Sequence, residues 1–289
     1  MAELRWALVG AGTAGRARAR ALLESPRDDL VAIWRGRYAD DIGAPVVASF
    51  EAAIAAAEAV VISSPTEHHA AQVRAALQAG RHVVVDFPLA RSRAEASSLF
   101  DLARAKGKVL HVEHIELLEA AGRTLCGQTR PELLSSVHVQ FERSGPDDAG
   151  APALALSNVA RLHRLCALAG PVASIDELDM LPGQLKARLT TTAGVPATLQ
   201  FAQGAYFQRL TRIEATAANG RWEQRNGRLS RDGRDVSLLG TRSLFASDQR
   251  VATARILDGG DSYVTEARIL HVLEVMERLG AGRVGPLSP

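Results

Sequence analysis

Lysine and cysteine are scarce in this chain of 289 residues. Lysine occurs only at Lys106, Lys108 and Lys186, so few positions can supply a lysine that transfers a proton in catalysis. The two cysteines, Cys126 and Cys166, lie far apart and form no CxxC pair, which argues against a disulfide framework and a cysteine-based metal site. We therefore expect no bound metal and a reducing compartment, the cytoplasm.

Long apolar runs and a strong net charge are absent as well. No apolar run approaches the roughly 20 residues that a membrane-spanning helix needs, and the N-terminus lacks the pattern of a signal peptide, so we expect no membrane association. A formal net charge of +2 is too small to indicate a nucleic-acid partner. With 47% hydrophobic and 23% charged residues, the composition is that of a globular protein, and we expect its partner to be a small-molecule substrate.

The first part of the chain alternates short apolar strands with helical segments. This order is typical of a parallel sheet that is covered by helices on both faces. Later, apolar residues alternate with polar neighbours, as at Val137, Val139 and Phe141, which indicates a largely antiparallel sheet with one exposed face. We predict an α/β Rossmann domain with a doubly wound parallel sheet at residues 1–120, and an α+β substrate domain at residues 121–289.

Within the second domain, the pattern predicts one helix over residues 154–169 and a long closing helix over residues 262–279. Residues 144–152 are rich in Gly, Pro and Asp and are predicted to form a loop, while Gly220 and residues 226–233 are predicted hairpin turns. The exposed face of the second sheet is a surface through which oligomerisation is possible.

Residues 10–15 read G-A-G-T-A-G, which is a GxGxxG motif. The motif follows a predicted strand and opens a predicted helix, the context in which such glycines let the backbone approach a pyrophosphate at a helix N-terminus. A plain glycine-rich turn is the alternative. The motif predicts that the cofactor is bound by Gly10, Gly12, Thr13, Ala14 and Gly15.

The end of the second predicted strand indicates which dinucleotide is bound. This strand ends at Trp34 and is followed by Arg35 and Arg37, whereas Asp40 and Asp41 come later. Sites that prefer NAD place a carboxylate at this point, and guanidinium groups bind a 2′-phosphate through charge-assisted hydrogen bonds. We predict NADPH as the cofactor, with NADH possible but weaker. The alternative is that these arginines belong to a solvated turn.

Two further stretches carry a resemblance to a family. Residues 63–69 read S-S-P-T-E-H-H and residues 79–88 read A-G-R-H-V-V-V-D-F-P. They resemble the T-P-x-x-x-H and A-G-K-H-V-x-x-E-K-P motifs of the Gfo/Idh/MocA oxidoreductases, whose closing helix is also similar to residues 264–279. The resemblance implies that further cofactor contacts come from Ser64, Pro65, His68, Asp86 and Pro88, although His68 has a solvated helix face as its alternative.

The chain departs from the family where proton transfer is concerned. The family's lysine falls at Phe87, and its histidine on the helix of the second domain falls near Ala160. The biliverdin reductase branch of the family shares this departure, with E-Y-P at the first site. Its L-H-x-E-H-V-E-L-L, S-G-I-S-R-L and F-L-K-D-Q segments are similar to residues 110–118, 157–162 and 245–249 here.

That resemblance implies hydride transfer to the central methine of a linear tetrapyrrole, a reaction that removes no proton from an alcohol. It implies that Phe87 stacks on the substrate and that Arg161 has a polar catalytic role, orienting water or a propionate or stabilising charge. Glu113 and His114 follow a strand of the first domain and would lie near the nicotinamide.

Arg164 is three residues after Arg161 and shares its helix face, so it is a candidate to bind a substrate propionate beside Arg161. Glu116, which follows the same strand end as Glu113 and His114, is a further candidate substrate residue. For both arginines the alternative is a helix-surface ion pair, and for Glu113 and Glu116 it is capping of the following helix.

Two other functions stay open. One is a sugar-type NADP-dependent dehydrogenase with an atypical proton relay. The other is a catalytically silent regulator that binds NADPH, which the missing lysine would permit.

Overall fold

The computed structural model describes residues 3–145, 150–238 and 243–287. The chain folds as two compact units. Unit 1 contains Met1–Ile115 and Arg242–Glu266, and unit 2 contains Glu116–Thr241 and Ala267–Pro289. The predicted division at residue 120 therefore needs two corrections, because the first segment of unit 1 ends at Ile115 and residues 242–266 belong with that unit.

Unit 1 is built around a parallel sheet of five strands in the order β2-β1-β3-β4-β5. Its strands β3 and β4 are buried along almost their whole length, which explains their continuous apolar sequence. The chain changes direction across the sheet between β1 and β3, which makes their carboxyl ends a topological switch point. The elements are β1 (Leu4–Val9), α1 (Thr13–Leu23), β2 (Asp28–Trp34), α2 (Phe50–Ala56), β3 (Ala59–Ile62), α3 (Thr66–Gln78), β4 (His82–Val85), α4 (Arg93–Ala105) and β5 (Leu110–Val112).

Unit 2 contains a larger sheet in the order β13-β12-β11-β10-β6-β9-β8-β7-β14. All pairs in it are antiparallel except β6 with β9. The elements of this part are α5 (Ala120–Gln128), β6 (Leu134–Ser144), α6 (Ala151–Leu156), α7 (Val159–Ala169), β7 (Val172–Leu181), β8 (Gln184–Thr191), β9 (Pro196–Gly204), β10 (Leu210–Ala217), β11 (Gly220–Arg225), β12 (Arg228–Arg231) and β13 (Arg234–Asp235). The chain continues through α8 (Leu244–Leu257) of unit 1 and ends with α9 (Glu266–Gly280) and β14 (Gly285–Pro286). The predicted fold class, a parallel Rossmann sheet followed by a largely antiparallel sheet, is confirmed.

The two faces of the large sheet differ in chemistry. The alternation noted in the sequence puts Val137, Val139 and Phe141 on a buried inner face. The outer face carries ion pairs such as Arg212 with Glu214 and Glu223, at 3.1 and 2.9 Å. Association of copies through this polar face stays a prediction.

Helix α8 was not predicted, and the structure gives the reason. Its buried side is largely polar and includes Asp248, Gln249 and Thr253, so the sequence lacks the apolar period that marks an amphipathic helix. Thr253 donates a hydrogen bond to Asp28 at 2.8 Å, and Ala252 packs into the core formed around β1. These contacts attach α8 to unit 1.

Other local expectations need smaller corrections. The predicted helix over 154–169 is two helices, because Ser157 and Asn158 both direct their side chains to the carbonyl of Leu154 and interrupt the helical ladder. The closing helix begins at Glu266 rather than at residue 262. The turn predicted at Gly220 lies directly before it, at residues 218–219, and the stretch 226–233 holds two turns, at 226–227 and 232–233, with strand β12 between them. Of the predicted loop at 144–152, residue 144 ends β6, residues 151–152 begin α6, and residues 146–149 lie outside the described residues.

Candidate active site

The GxGxxG turn has the geometry of a dinucleotide site. Gly10 has a φ of +93°, and a Cβ there would lie 2.7 Å from the carbonyl oxygen of Ser63. A Cβ on Gly15 would overlap the carbonyl of Gly10, so both positions need glycine for packing. Beside Gly12, by contrast, no heavy atom of the described chain lies within 4 Å of a Cβ position.

The first turn of α1 is also open toward this space. Its N-cap is Gly12, with no side chain that caps the helix and no acidic residue in the first turn. The N–H groups of Thr13 and Ala14 are therefore free of a side-chain cap, and the positive end of the helix dipole is not neutralised locally. This arrangement fits a pyrophosphate, as expected for residues 10–15.

The basic turn after β2 is fastened to the glycine loop. The N–H of Ala11 donates to the carbonyl of Arg35 at 2.8 Å, and the N–H of Tyr38 donates to the carbonyl of Ala11 at 3.0 Å. Gly36 has a φ of +127°, and a Cβ there would overlap the backbone of Ala11. The turn that carries Arg35 and Arg37 is therefore held next to the phosphate-binding segment.

A third arginine, which sequence reasoning missed, joins this turn. The guanidinium carbon of Arg16 lies 5.1 Å from the ring centroid of Tyr38, and that of Arg37 lies 6.0 Å from the same centroid. Arg35 lies 5.1 Å from the ring of Trp34. Three exposed guanidinium groups thus surround the end of β2, where an anionic 2′-phosphate would need them.

The loops after β3 and β4 are joined by a buried histidine. The ring of His69 contacts the carbonyl of Ser64 through Nε2 at 2.7 Å and the carbonyl of Pro88 through Nδ1 at 2.8 Å. His68, the predicted cofactor contact, is exposed on α3, and its neighbour His69 is the histidine that faces the core. His69 therefore connects the predicted cofactor segments 64–65 and 86–88.

A cluster of charged side chains lies beneath the carboxyl ends of β4 and β5. At its centre is Arg18 of α1, whose side chain is fully buried. Arg18 donates from Nε to Asp86 at 3.0 Å and from Nη1 to Asp248 of α8, while its Nη2 lies 4.0 Å from Glu113. Burial acts against the charge, but the carboxylates of Asp248, Asp86 and Glu113 hold the pKa of Arg18 above its ordinary value.

Asp248 is the second centre of this cluster. Its Oδ1 accepts hydrogen bonds from His111 Nε2 at 2.9 Å and from the hydroxyl of Tyr263 at 2.6 Å. Burial alone would raise the pKa of Asp248, but Arg18 and these donors hold it below its ordinary range. Because Arg255 can only donate, its contact with Nδ1 of His111 at 3.1 Å places the histidine proton on Nε2.

Glu113 behaves in the opposite way to Asp248. Its side chain is buried, and one oxygen accepts the N–H of Ile115 at 2.6 Å. Burial raises the pKa of Glu113 to about 8, and the charges of Asp86 and Asp248 add to this against the attraction of Arg18. Glu113 therefore holds a proton near neutral pH, which suits a group that takes part in proton transfer.

Phe87 follows Asp86 and packs against His114. The two rings are stacked, with centroids 5.6 Å apart and an interplanar angle of 18°. Lys106 and Lys108 precede β5 and so lie at the amino ends of the strands, whereas Phe87 lies at their carboxyl ends. Lys186 belongs to unit 2. A stack of two rings therefore occupies the position where the family resemblance expects a lysine that transfers a proton.

In unit 2, Arg161 lies on α7 against the inner face of the sheet. Its guanidinium carbon is 3.8 Å from the ring centroid of Phe141, and its Nη1 is 3.2 Å from Glu116. Burial lowers the pKa of Arg161; Glu116 opposes this, and the charges of Arg209, Arg164 and Arg143 add to it. Within the described residues, Nε of Arg161 is buried and has no hydrogen-bond partner.

Arg164 lies one turn further along α7. Its Nη2 is 3.1 Å from Glu119, whose same oxygen accepts a hydrogen bond from Gln224 at 2.9 Å. The side chains of Arg161 and Arg164 are each only 5% exposed, so neither lies on the helix surface, but both form the ion pair that the alternative expected. Glu116 lies in a 3₁₀ turn at Ile115–Leu118 and pairs with Arg161.

The predicted site residues thus fall into two groups, one in each unit. Sequence reasoning missed Arg16, Arg18, His69 and Asp248. For Arg18 a signal existed, because the buried positions of α1 at Gly15, Arg18, Ala19 and Leu22 have helical spacing. For Asp248 the motif at 245–249 was noticed, but no local pattern predicted its partners.

The described ranges 3–145, 150–238 and 243–287 contain no group of three or more His, Cys, Asp or Glu side chains that could hold a metal ion. In the same ranges, no helix combines the length and the apolar character that crossing a membrane requires.

Comparison with known proteins gives the following similarities. Residues 4–114 match the Gfo/Idh/MocA family, described as an oxidoreductase family with an NAD-binding Rossmann fold. Biliverdin reductase A of Mus musculus is 28% identical over 282 residues, which cover 93% of this chain and 92% of that protein.

Two solved structures extend the comparison. The biliverdin reductase of Synechocystis sp. PCC 6803, crystallised with biliverdin and NADP+, is 25% identical with a TM-score of 0.83, covering 97% of this chain and 99% of its own. A 3-ketoreductase of Actinomadura kijaniata, crystallised with NADP, is 20% identical with a TM-score of 0.82, and 99% of each chain is covered. The second similarity is one of fold alone.

Proposed function

We propose that this chain, whose residues 4–114 match the Gfo/Idh/MocA oxidoreductase family and which is similar to biliverdin reductases, uses NADPH to reduce biliverdin or a similar linear tetrapyrrole. The observation that carries the proposal is the stacked pair of Phe87 and His114 where sugar-oxidising relatives are expected to hold a lysine. An aromatic ring cannot accept a hydroxyl proton, but it can pack against a flat conjugated substrate.

When bound, NADPH would supply a hydride, which is one hydrogen nucleus with two electrons, for the central methine carbon of the substrate. One proton must reach a pyrrole nitrogen to balance the reaction. We assign Glu113 to holding that proton, because its carboxyl group is protonated near neutral pH. We assign His114 and Phe87 to forming the surface on which the conjugated substrate packs.

Arg161 is proposed to stabilise negative charge on the substrate. A guanidinium that keeps its proton is a poor acid, so orienting a carboxylate or a water molecule suits it better than proton donation. Its buried and unpaired Nε is a donor that the described chain does not use. We propose that Arg164, on the same helix as Arg161, and Glu116, the ion-pair partner of Arg161, also contact the substrate.

We propose NADPH rather than NADH because Arg16, Arg35 and Arg37 gather at the end of β2. The proposed contacts of the phosphates are Gly10, Gly12, Thr13, Ala14 and Gly15, and those of the nicotinamide half are Ser64, Pro65, Asp86 and Pro88. His68 is exposed next to His69, and its contact with the cofactor stays a prediction. The free thiols of Cys126 and Cys166 fit a cytoplasmic location, which also stays a proposal.

The test is a direct assay with biliverdin. Wild-type protein mixed with NADPH and biliverdin should remove the red-region absorption band and produce a yellow product. Gly12→Asp is a matched negative control, since its side chain has open space in the folded chain but places a carboxylate where the pyrophosphate is expected. This variant should fold and fail to turn over.

Other outcomes identify the alternatives. Oxidation of polyols with NADP+ and no loss of the biliverdin band would favour a sugar-type dehydrogenase. Tight NADPH binding without turnover of either substrate would favour a catalytically silent regulator. Either result would overturn the proposed reaction.

A further inference from the structure

The inner face of the large sheet continues past Phe141 with charged residues. Along β6, Phe141 and Arg143 share a face because they are two residues apart. Arg143 pairs with Gln203 of β9 and donates a hydrogen bond to its side chain at 2.7 Å. Leu210 of β10 pairs with Glu142, so continuing this register one residue backwards brings Arg209 beside Arg143.

This places two arginines one step from the ring that Arg161 covers. Residues two apart on a strand are separated by about 6 to 7 Å, so Arg143 is the next neighbour of the Phe141 and Arg161 contact. The charges of Arg143 and Arg209 both disfavour the charged form of Arg161, which agrees with this short separation. Unlike Arg161, both side chains are exposed.

The local charges do not balance. Arg143, Arg161, Arg164 and Arg209 bring four guanidinium groups, and the carboxylates paired with them are those of Glu116 and Glu119. Like charges at this spacing repel one another, and burial makes the repulsion stronger around Arg161. An arrangement with two excess positive charges and an unused buried donor is suited to a ligand with two negative charges.

We propose that Arg143 and Arg209 bind carboxylate groups of the substrate and so select a dianionic tetrapyrrole over its neutral derivatives. The proposal rests on the proposed function and specifies the part of the substrate that is recognised. Biliverdin carries two flexible propionates, each of which can accept paired hydrogen bonds from a guanidinium.

The test compares biliverdin with its dimethyl ester, which has the same conjugated system and no carboxylates. Binding to the NADP+-loaded protein is followed by the visible absorption of the pigment, and KM and kcat are measured with NADPH. In the Arg143→Gln/Arg209→Gln double variant, the Kd and KM for biliverdin should rise at least tenfold, as expected for losing a charge-assisted hydrogen bond. The kcat should stay within about twofold.

The ester and a control variant make the result specific. The double variant should bind the dimethyl ester as the wild type does, because no carboxylate contact is lost. Arg234→Gln removes an exposed arginine of β13 in the same unit and should leave the affinity for biliverdin and for its dimethyl ester unchanged. Added salt should weaken biliverdin binding to the wild type more than to the double variant.

The outcomes separate this inference from the proposed function. Suppose that the wild type reduces biliverdin, and that the double variant either binds biliverdin as tightly as the wild type or loses affinity for biliverdin and its dimethyl ester equally. Then the carboxylate role of Arg143 and Arg209 is wrong, and the proposed reaction stands. If the wild type neither binds nor reduces biliverdin, the reaction itself is wrong and this substrate assignment goes with it.

Discussion

Arg18 and Arg161 are buried arginines, one in each unit, and their surroundings differ. Arg18 touches the carboxylates of Asp86 and Asp248 and lies near a third, that of Glu113. Arg161 has one carboxylate, Glu116, and its other charged neighbours are arginines. The pKa of Arg18 is accordingly raised and that of Arg161 lowered.

The difference shows what each arginine can do. Arg18 is neutralised within its own unit, where it ties α1, β4 and α8 together, so its charge is used for structure. Arg161 is paired with one carboxylate and has arginines as its other charged neighbours, so positive charge is left over around it and suits an incoming anion. Burial alone therefore does not separate a structural arginine from a functional one, whereas the balance of nearby charge does.

The largest expected effect comes from exchanging each arginine for methionine. Arg18→Met leaves buried carboxylates without their cation and should lower the free energy of unfolding by about 3–5 kcal/mol. Arg161→Met leaves one carboxylate that is 21% exposed, so its loss should be smaller, about 1 kcal/mol. Urea denaturation of both variants measures the difference.

For Arg161→Met, in contrast, we expect a small loss of stability and a large loss of activity. This variant should bind NADPH normally and lose about 10²-fold in kcat, the size found for other preorganised charge-stabilising donors. If Arg18→Met does not fold, adding Asp248→Asn removes one of the unpaired carboxylates and should recover part of the stability. Equal stability losses for the two methionine variants would contradict the contrast between the arginines.

The carboxylates around Arg18 extend the comparison to pH. Glu113 has an ordinary pKa of 4.5, and burial raises it to about 8 in the folded chain. Between these values the folded state keeps a proton that the unfolded state has lost, so this stabilisation is full below about pH 4.5 and is lost as pH rises to about 8. Glu113→Gln should remove this pH-dependent loss of folding stability, which is on the order of a few kcal/mol.

The measurement is the free energy of unfolding from pH 5 to pH 9, for wild type and Glu113→Gln. The wild type should become less stable over this range, and the variant should show a flatter curve. Glu24→Gln, at an exposed position of unit 1, is the control and should follow the wild type. Asp248, whose pKa is lowered, contributes in a separate acidic range because its stabilisation disappears only as pH falls. A Glu113→Gln curve as steep as that of the wild type would exclude Glu113 as the source.

Local chemistry explains which parts of the molecule could be predicted from sequence. The glycine turn at residues 10–15 and the alternation of Val137, Val139 and Phe141 depend on neighbouring residues, and both are confirmed in the structure. The Arg18 and Asp248 pair spans 230 positions, and no local period connects them. Because α8 buries polar side chains, its contribution to unit 1 also left no apolar pattern.

The histidine of α3 shows how a local pattern can still be used incompletely. His69, Val73, Ala76 and Leu77 are its buried positions, which follow helical spacing from residue 69 and not from residue 68. Applying this period together with the family motif would have identified His69. Its contacts with the carbonyls of Ser64 and Pro88 depend on two loops meeting in space, which the helix sequence does not contain.

The smallest expected effect concerns an arginine that is exposed rather than buried. Arg35 lies at the end of β2 with its side chain in water, so its attraction for a 2′-phosphate is screened by solvent and salt. Arg35→Asp replaces attraction by repulsion and should raise the Kd for NADPH about tenfold more than the Kd for NADH. Fluorescence titrations with both dinucleotides measure this ratio.

Arg20→Asp makes the same charge change at an exposed position of α1 away from the end of β2, and should leave the ratio near that of the wild type. Salt sharpens the comparison with the buried arginines. Raising the ionic strength should shrink the Arg35→Asp effect, because both charges lie in water, while the stability loss of Arg18→Met should change little. Equal losses for NADPH and NADH would mean that Arg35 supports the turn and does not recognise the phosphate. Selectivity would then have to come from Arg16 and Arg37, the pair that flanks Tyr38.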